Sequence, residues 1–307
     1  MGLLGSVKRL LPRHVRREYA IRFRLMRAGL SPSSRRAEER ADALLISYPK
    51  CGRTWLTMLL SRALASHAGI QEVDYLATDL LGGAVAGLPH IRISHDDNPH
   101  WKTVRSLQKS KARYRDKKII LLVRDPRDVV VSMYFERTKR EQAYTGTMSQ
   151  FLCSRRGALD TILAYYNVWA KERDRVGGFC LVRYEDLKLD PAGQARRILR
   201  FAGLDPIVET HIAEAARFAS FENMREMEKG DALKTGRLRA RDPKDSESFK
   251  TRKGKVGGYV DYLKPEEIEW MERKIRETLD PFYGYAEPAV RRGEAQAVPA
   301  GRPGDAP

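Results

Sequence analysis

The residues most suited to chemistry lie in the stretch from residue 44 to 60, LLISYPKCGRTWLTMLL. Its first apolar run predicts a buried strand, and its second, from Trp55, predicts a buried helix. Because N–H groups at a helix start have no partner inside the helix, and the helix dipole adds positive charge there, the intervening loop suits an oxyanion. In that loop Lys50 supplies a mobile cation, Gly52 permits close approach of the backbone, and Thr54 adds a hydroxyl donor.

The loop departs from the Walker pattern, in which a lysine directly precedes the hydroxyl residue, because Lys50 lies ahead of the single glycine. The run Pro-Lys-Cys-Gly-Arg-Thr-Trp instead resembles the 5′-phosphosulfate loop of sulfotransferases that use 3′-phosphoadenosine 5′-phosphosulfate (PAPS), usually Pro-Lys-Ser-Gly-Thr-Thr-Trp. Cys51 and Arg53 depart from that form: Cys51 would contribute mainly its backbone N–H, and Arg53 replaces a hydroxyl with a cation. The resemblance implies that the donor is bound by Lys50, Cys51, Gly52, Arg53, Thr54 and Trp55.

A second motif, LVRDPRDVVVSMYF at residues 122 to 135, places Ser132 eight residues after Arg124. A guanidinium and a hydroxyl at the end of a strand and in the next helix can together hold a phosphate. The motif resembles the segment that contacts the 3′-phosphate in the same superfamily, which implies that role for Arg124 and Ser132. Asp125 can also be interpreted as a Walker B carboxylate, so a kinase that uses ATP and magnesium stays an alternative.

Three further segments resemble parts of the same nucleotide site. RKGKVGGY, from residue 252, is similar to the family's C-terminal Arg-Lys-Gly segment, and implies that Arg252, Lys253 and Gly254 close over the 3′-phosphate. Tyr184 in VRYEDL and Phe221 in SFENM match aromatic positions that contact adenine in the family.

The proton acceptor for transfer to a hydroxyl is predicted to be His95, since histidine suits a general base near neutral pH. In the family the catalytic histidine ends a Lys-Thr-His segment, and the lysine position is Ile93 here, so Lys50 or Lys102 would have to compensate. Asp96 is the alternative base, because some relatives use a carboxylate. His90 and His100 are competing histidines nearby.

The elements that position these residues alternate between strands and helices. Strands are predicted at 44–46, 90–94, 117–123 and 178–183, and helices at 54–67, from 126, at 157–176, 192–203 and 265–279. This order indicates an α/β fold, a doubly wound and mostly parallel sheet with helices on both faces and ligands at the carboxyl ends of the strands. The resemblance implies its P-loop, nucleotide-kinase-like form.

Composition sets further limits on the class of protein. The net charge of +17 indicates an anionic substrate, an anionic surface or both, and residues 1 to 40 alone hold eleven Lys or Arg against three Glu. We therefore predict a basic arm at 1–42, the catalytic domain at 43–285 and a disordered tail at 286–307. The arm could contact an anionic membrane surface as a basic amphipathic helix.

Several classes of protein are disfavoured. Three widely spaced cysteines predict free thiols in a reducing cytoplasm and no metal site, and no apolar run is long enough to span a membrane. A basic membrane-surface or nucleic-acid-binding protein would explain the charge but not the motifs, and no nucleic-acid module is recognisable. The resulting prediction is an enzyme that transfers a sulfuryl group from PAPS in line to an alcohol, phenol, lipid or glycan hydroxyl, with residues 73–89 and 137–156 lining the acceptor pocket.

Overall fold

A computed structural model describes residues 12–29, 32–81, 85–233 and 235–287, with the side chains of residues 22–34 excepted. The parts of the predicted arm and tail at 1–11, 30–31 and 288–307 therefore lie outside the described residues. No helix in the described ranges is both long and apolar enough to cross a membrane.

The described residues contain one five-stranded sheet with the strand order β2-β3-β1-β4-β5. Its strands are β1 (Ala43–Ser47), β2 (Asp79–Leu80), β3 (Ile91–Ser94), β4 (Lys118–Val123) and β5 (Gly178–Arg183). Strand β1 is parallel to both β3 and β4, β5 is parallel to β4, and only β2 runs antiparallel to its neighbour. All five residues of β1 are buried, and because successive side chains point to opposite faces, helices must cover both sides. The predicted mostly parallel α/β sheet is confirmed.

Helices connect and flank the strands. The described α-helices are α1 (Arg13–Gly29), α2 (Pro32–Arg40), α3 (Arg53–Ala68), α4 (Pro126–Phe135), α5 (Met148–Leu152), α6 (Leu159–Glu172), α7 (Tyr184–Leu189), α8 (Pro191–Ala202), α9 (Glu209–Phe218), α10 (Phe221–Lys229) and α11 (Pro265–Thr278). A π-helical turn, Glu136–Arg140, continues α4. Helix α6 begins at Leu159 and not at the predicted Gly157, because Gly157 has φ 73° and a Cβ there would meet the His100 carbonyl oxygen at 2.8 Å.

The sheet brings the predicted functional segments to one edge. Because β1, β3, β4 and β5 are parallel, their carboxyl ends meet there. The residues that follow these ends are the loop from Lys50, His95, Arg124 and Tyr184, respectively. Segments more than a hundred residues apart in the chain therefore surround one space.

Candidate active site

A cleft of about 440 Å³ lies at this carboxyl edge of the sheet. Thirteen of the fifteen residues predicted for the site line it, and Cys51 and Asp96 do not. The thirteen are Lys50, Gly52, Arg53, Thr54, Trp55, His95, Arg124, Ser132, Tyr184, Phe221, Arg252, Lys253 and Gly254.

The floor of the cleft is the turn between β1 and α3. Lys50 and Gly52 have φ angles of 74° and 94°, and Gly52 is the N-cap of α3. The first intrahelical bond runs from Leu56 N–H to the Gly52 carbonyl, so the N–H groups before Leu56 have no partner in the helix. A Cβ on Gly52 would lie 2.6 Å from Cδ2 of Tyr184, so this position requires glycine for both conformation and space. These features build an anion site from backbone donors.

Cys51 directs its side chain into the core. Its Sγ lies 3.3 Å from the Tyr166 hydroxyl, and the residue is completely buried. Burial raises the pKa of the Cys51 thiol to about 12. The thiol is therefore neutral and outside the cleft.

Four charged groups meet beside the Lys50 end of the cleft. Lys50 Nζ donates to Glu136 at 2.6 Å. Burial opposes ionisation of Glu136, but Lys50, Lys250 and Arg140 together lower its pKa to about 2. Burial, with repulsion from Lys50 and Arg140, lowers the pKa of Lys250 to about 7. At this end of the cleft Glu136 is therefore ionised and shared among three basic side chains.

Arg124 is held firmly at the end of β4. Its Nη2 donates to the Lys255 carbonyl at 2.8 Å and lies 3.1 Å from Asp128, and its guanidinium lies 4.3 Å from the ring centre of Tyr184. Asp128 also accepts the N–H groups of Gly257 and Tyr259 at 2.9 and 3.0 Å. This carboxylate therefore joins the start of α4 to the C-terminal loop.

The C-terminal loop presents its two predicted phosphate cations in ion pairs. Arg252 contacts Glu247 at 3.0 Å, and Lys253 contacts Asp261 at 3.1 Å. A Cβ on Gly254 would lie 2.6 Å from the ring of Phe221, so the aromatic side chain packs directly on the loop backbone. An anion bound here must compete with Glu247 and Asp261 for the two cations.

Three aromatic rings form the opposite end of the cleft. Trp55 and Tyr184 pack edge to face with ring centres 5.6 Å apart, and Phe221 covers Gly254. Lys188 Nζ lies 5.8 Å from the ring centre of Trp55 and 5.5 Å from that of Phe221. Aromatic faces with a nearby cation suit a flat heterocycle that carries phosphate.

His95 has the tautomer that a general base needs. Its Nδ1 lies 3.1 Å from the Ser47 carbonyl oxygen, which can only accept, so Nδ1 carries the proton and Nε2 keeps its lone pair. Burial, followed by the charges of Arg53 and His100, lowers the pKa of His95 well below 6.5. The imidazole is therefore neutral at neutral pH.

Asp96 and His90, the competitors of His95, are held by different partners. Asp96 is buried against Lys111, Arg113 and Tyr114, with Arg113 at 2.8 Å, and it lines no part of the cleft. The structure thus places the Asp96 carboxylate against two basic residues and outside the cleft that His95 lines. His90 pairs with Asp79 at 2.9 Å, again outside the cleft.

His100 and Lys102 differ in their position relative to the cleft. His100 lines it, with its ring centre 5.8 Å from that of His95. Lys102 contacts Asp97 and does not line the cleft, so it is not placed to replace the lysine missing at Ile93.

Asp125 lacks the position of a Walker B carboxylate. It caps α4 by accepting the Arg127 N–H and pairs with the Arg127 guanidinium, both at 2.9 Å. Burial raises its pKa to about 7, and it does not line the cleft. Within the described ranges no group of three or more His, Cys, Asp or Glu is arranged to hold a metal ion.

Charged residues to which the sequence assigns no role also line the cleft, among them Asp128, Glu136, Lys188 and Lys250. The sequence contains a pattern that could have identified Asp128 and Glu136 as site residues. Asp128, Ser132 and Glu136 follow one another at intervals of four residues and so share one helix face. No comparable pattern identifies Lys188 or Lys250. They reach the cleft only through the tertiary fold.

Comparisons with known proteins agree with this geometry. A sequence model of the sulfotransferase domain matches residues 40–282. Cytosolic sulfotransferase 16 of Arabidopsis thaliana is 26% identical over 255 residues, covering 73% of this chain and 72% of its own. Flavonol 3-sulfotransferase of Flaveria bidentis is 26% identical over 267 residues, covering 78% of this chain and 81% of its own. The structure of mouse sulfotransferase SULT7A1 complexed with PAP has the same fold, with a TM-score of 0.54, 20% identity, and coverage of 84% of this chain and 89% of that one. The chain belongs to the sulfotransferase domain family.

Proposed function

We propose that this protein transfers a sulfuryl group from PAPS to a hydroxyl acceptor. The observation that carries the proposal is the presence, in one cleft, of two separate anion sites joined by aromatic side chains. One is the start of α3 with Lys50, and the other is Arg124 with Ser132 and the C-terminal loop. The ribose of PAPS carries a phosphate on C3′, a phosphosulfate on C5′ and adenine on C1′, so the donor offers two anionic groups and one flat ring to these sites and side chains.

The residues present fit the donor. Gly52 and Gly254 leave room where a Cβ would meet Tyr184 and Phe221, so both anion sites have exposed backbone beside an aromatic ring. The nucleotide product, adenosine 3′,5′-bisphosphate (PAP), is the ligand named for the SULT7A1 structure and for retinol dehydratase. We assign the 5′ end to the loop from Lys50 to Trp55 and the 3′-phosphate to Arg124, Ser132, Arg252, Lys253 and Gly254.

His95 acts as the general base in this proposal. PAPS, when bound, supplies a sulfuryl group that moves to the acceptor oxygen as PAP leaves. The Nε2 lone pair of His95 takes the proton of the attacking hydroxyl, while the bond from Nδ1 to Ser47 holds the ring in that tautomer. By analogy with phosphoryl transfer, the remaining task is to position the reactants in line and stabilise the charge that develops.

Ile93 occupies the position of the family's lysine, so other segments must supply that positive charge. Lys50 lines the cleft, and so do Arg53 and Lys250, whose charges lower the pKa of His95 after the larger effect of burial. We propose that these three cations stabilise the leaving phosphate. Glu136, which pairs with Lys50, would orient that lysine.

A melting experiment separates this function from a kinase. PAP should raise the melting temperature without added metal, and ATP with magnesium should have little effect. A ligand at about 100 times its dissociation constant stabilises by roughly 2.7 kcal/mol, which such an experiment resolves. The opposite ranking of the two nucleotides would support the kinase.

We also propose the division into an arm at 1–42, a catalytic domain at 43–285 and a tail at 286–307. A contact of the arm with an anionic membrane is supported by its eleven basic residues and by exposed Tyr19 on α1. Part of α1 also faces the enzyme, since Ile21 lines the cleft and Arg17 donates to Gln142 at 2.6 Å. The arm would therefore hold the mouth of the cleft near the membrane surface.

A further inference from the structure

A second cavity, of about 350 Å³, lies beside the point of transfer. It shares Arg53, Thr54, His95, Asn98 and Lys250 with the cleft. A compound in this side cavity therefore contacts the same histidine that acts as the base in the function proposed above. Its size suits a small polar molecule or one end of a larger one.

The side cavity is strongly cationic. Six basic residues line it and only two acidic residues do. The basic residues are Arg35, Arg53, Arg92, Arg113, Arg237 and Lys250, and the acidic residues are Glu38 and Asp97. How much of this positive charge is available to a ligand depends on the partner of each cation.

Some of these charges are neutralised by neighbouring residues. Arg92 pairs with Asp79 at 2.5 Å, and Arg113 pairs with buried Asp96 at 2.8 Å. Asp97 is already held by Lys102 and so contributes little to balancing the cavity.

Exposed Arg35 and three further cations of the wall, Arg53, Arg237 and Lys250, have no carboxylate partner among the described residues. Arg237 donates to the Leu76 carbonyl, and Lys250 donates to the Arg237 carbonyl at 2.5 Å. Burial lowers the pKa of Arg53 to about 10, and repulsion from the Arg237 guanidinium adds to this shift. Placing like charges in one partly enclosed cavity is unfavourable unless an anion joins them.

The donor cannot account for all three cations. Arg53 and Lys250 line both spaces, but Arg237 lines the side cavity alone. We propose that the acceptor carries a carboxylate or phosphate group that binds Arg237 in the side cavity, while Arg53 and Lys250 lie between this group and the leaving phosphate and the acceptor hydroxyl reaches His95. This inference rests on the proposed function and narrows it to anionic acceptors.

The test uses the full-length protein saturated with PAP, so that the donor site is already filled. Matched pairs of probes are titrated by calorimetry at constant ionic strength: glycerol 3-phosphate against glycerol, and 4-hydroxybenzoate against 4-hydroxybenzyl alcohol. The anionic member of a pair should bind about tenfold or more tightly, the typical effect of a hydrogen bond to a charged group. Arg237→Gln should reduce that preference about tenfold and leave PAP affinity unchanged.

Arg239→Gln is the matched control, because Arg239 lies two residues away, pairs with Asp231 at 3.5 Å and lines neither space. It should keep the full preference for the anion. Equal affinity within every pair, no binding of either anionic probe, or an unchanged preference in Arg237→Gln would overturn the inference. Failure of PAP to bind in the first titration is a separate result, which would refute the donor assignment and with it the proposed function.

Discussion

Replacing His95 by glutamine tests the proposed chemistry most directly. The substitution removes the Nε2 lone pair but keeps a polar side chain in a buried position. His90 and Asp96 are held by other partners outside the cleft, so neither can take over. Since a positioned general base is worth roughly 100-fold or more, kcat should fall by about that factor. PAP affinity, measured by calorimetry, should stay nearly unchanged.

The residual rate should come from His100, the second histidine in the cleft, whose ring centre lies 5.8 Å from that of His95. His95→Gln combined with His100→Gln should therefore lower kcat below that of the single variant. His90→Gln serves as the control, because His90 pairs with Asp79 away from the cleft.

The pH dependence provides a second readout for the same residue. A protonated imidazole cannot accept a proton, so kcat should fall as the pH is lowered through the pKa of His95. Burial and the charges of Arg53 and His100 lower this pKa, so the acidic limb should lie well below pH 6.5. Arg53→Gln removes one of those charges and should move the limb towards neutral pH. Near-full turnover in His95→Gln, with loss of turnover in Asp96→Asn while the fold survives, would refute the reasoning.

Three other perturbations address the donor site and the arm. Arg124→Ala should weaken PAP by roughly tenfold or more in calorimetry, and weaken adenosine 5′-monophosphate much less, because only PAP offers the 3′-phosphate; equal losses for both ligands would contradict the assignment. Gly52→Ala should lower the melting temperature and PAP affinity, since φ is 94° and Tyr184 lies 2.6 Å from the added Cβ. Gly69→Ala is the control, because φ is also positive at Gly69 but no atom lies within 4 Å of the added Cβ. Gly69→Ala should therefore lower the free energy of unfolding only by the backbone strain, on the order of 1 kcal/mol, and Gly52→Ala should lower it by more. The full-length protein should bind vesicles that contain phosphatidylserine, and high salt should abolish this binding. Deleting residues 1–40 should also abolish it while PAP still binds. If the shortened protein still binds the vesicles, the arm is not the contact.

The sequence alone was sufficient to predict the four parallel strands of the sheet and the turn between the first strand and its helix, but not the short antiparallel strand β2. The apolar run from Ile119 to Val123 has no polar residue to place towards solvent on either face of a strand, so it indicates an interior parallel strand, and all five residues are buried. The turn from Lys50 to Thr54 depends on local backbone chemistry, in which a glycine at positive φ starts a helix. Such features are encoded within a few neighbouring residues.

Only the tertiary structure distinguished among side chains of the same type. The sequence does not distinguish His90, His95 and His100. In the structure His90 pairs with Asp79, His95 donates to the Ser47 carbonyl, and His100 packs beside His95. Asp96 directly follows His95, yet its backbone, at φ 45°, turns the carboxylate towards Lys111 and away from the cleft. Partners of this kind come from distant segments, so neighbouring residues do not encode them.

The same reason explains the charges that no motif contained. The charge and low apolar content of residues 225 to 250 predict a mobile flap. In the structure this segment contributes Arg237 and Lys250 to the cavities beside His95. Composition records that these cations exist, but their effect on the site depends on which carboxylates lie near them in space, and packing alone determines that.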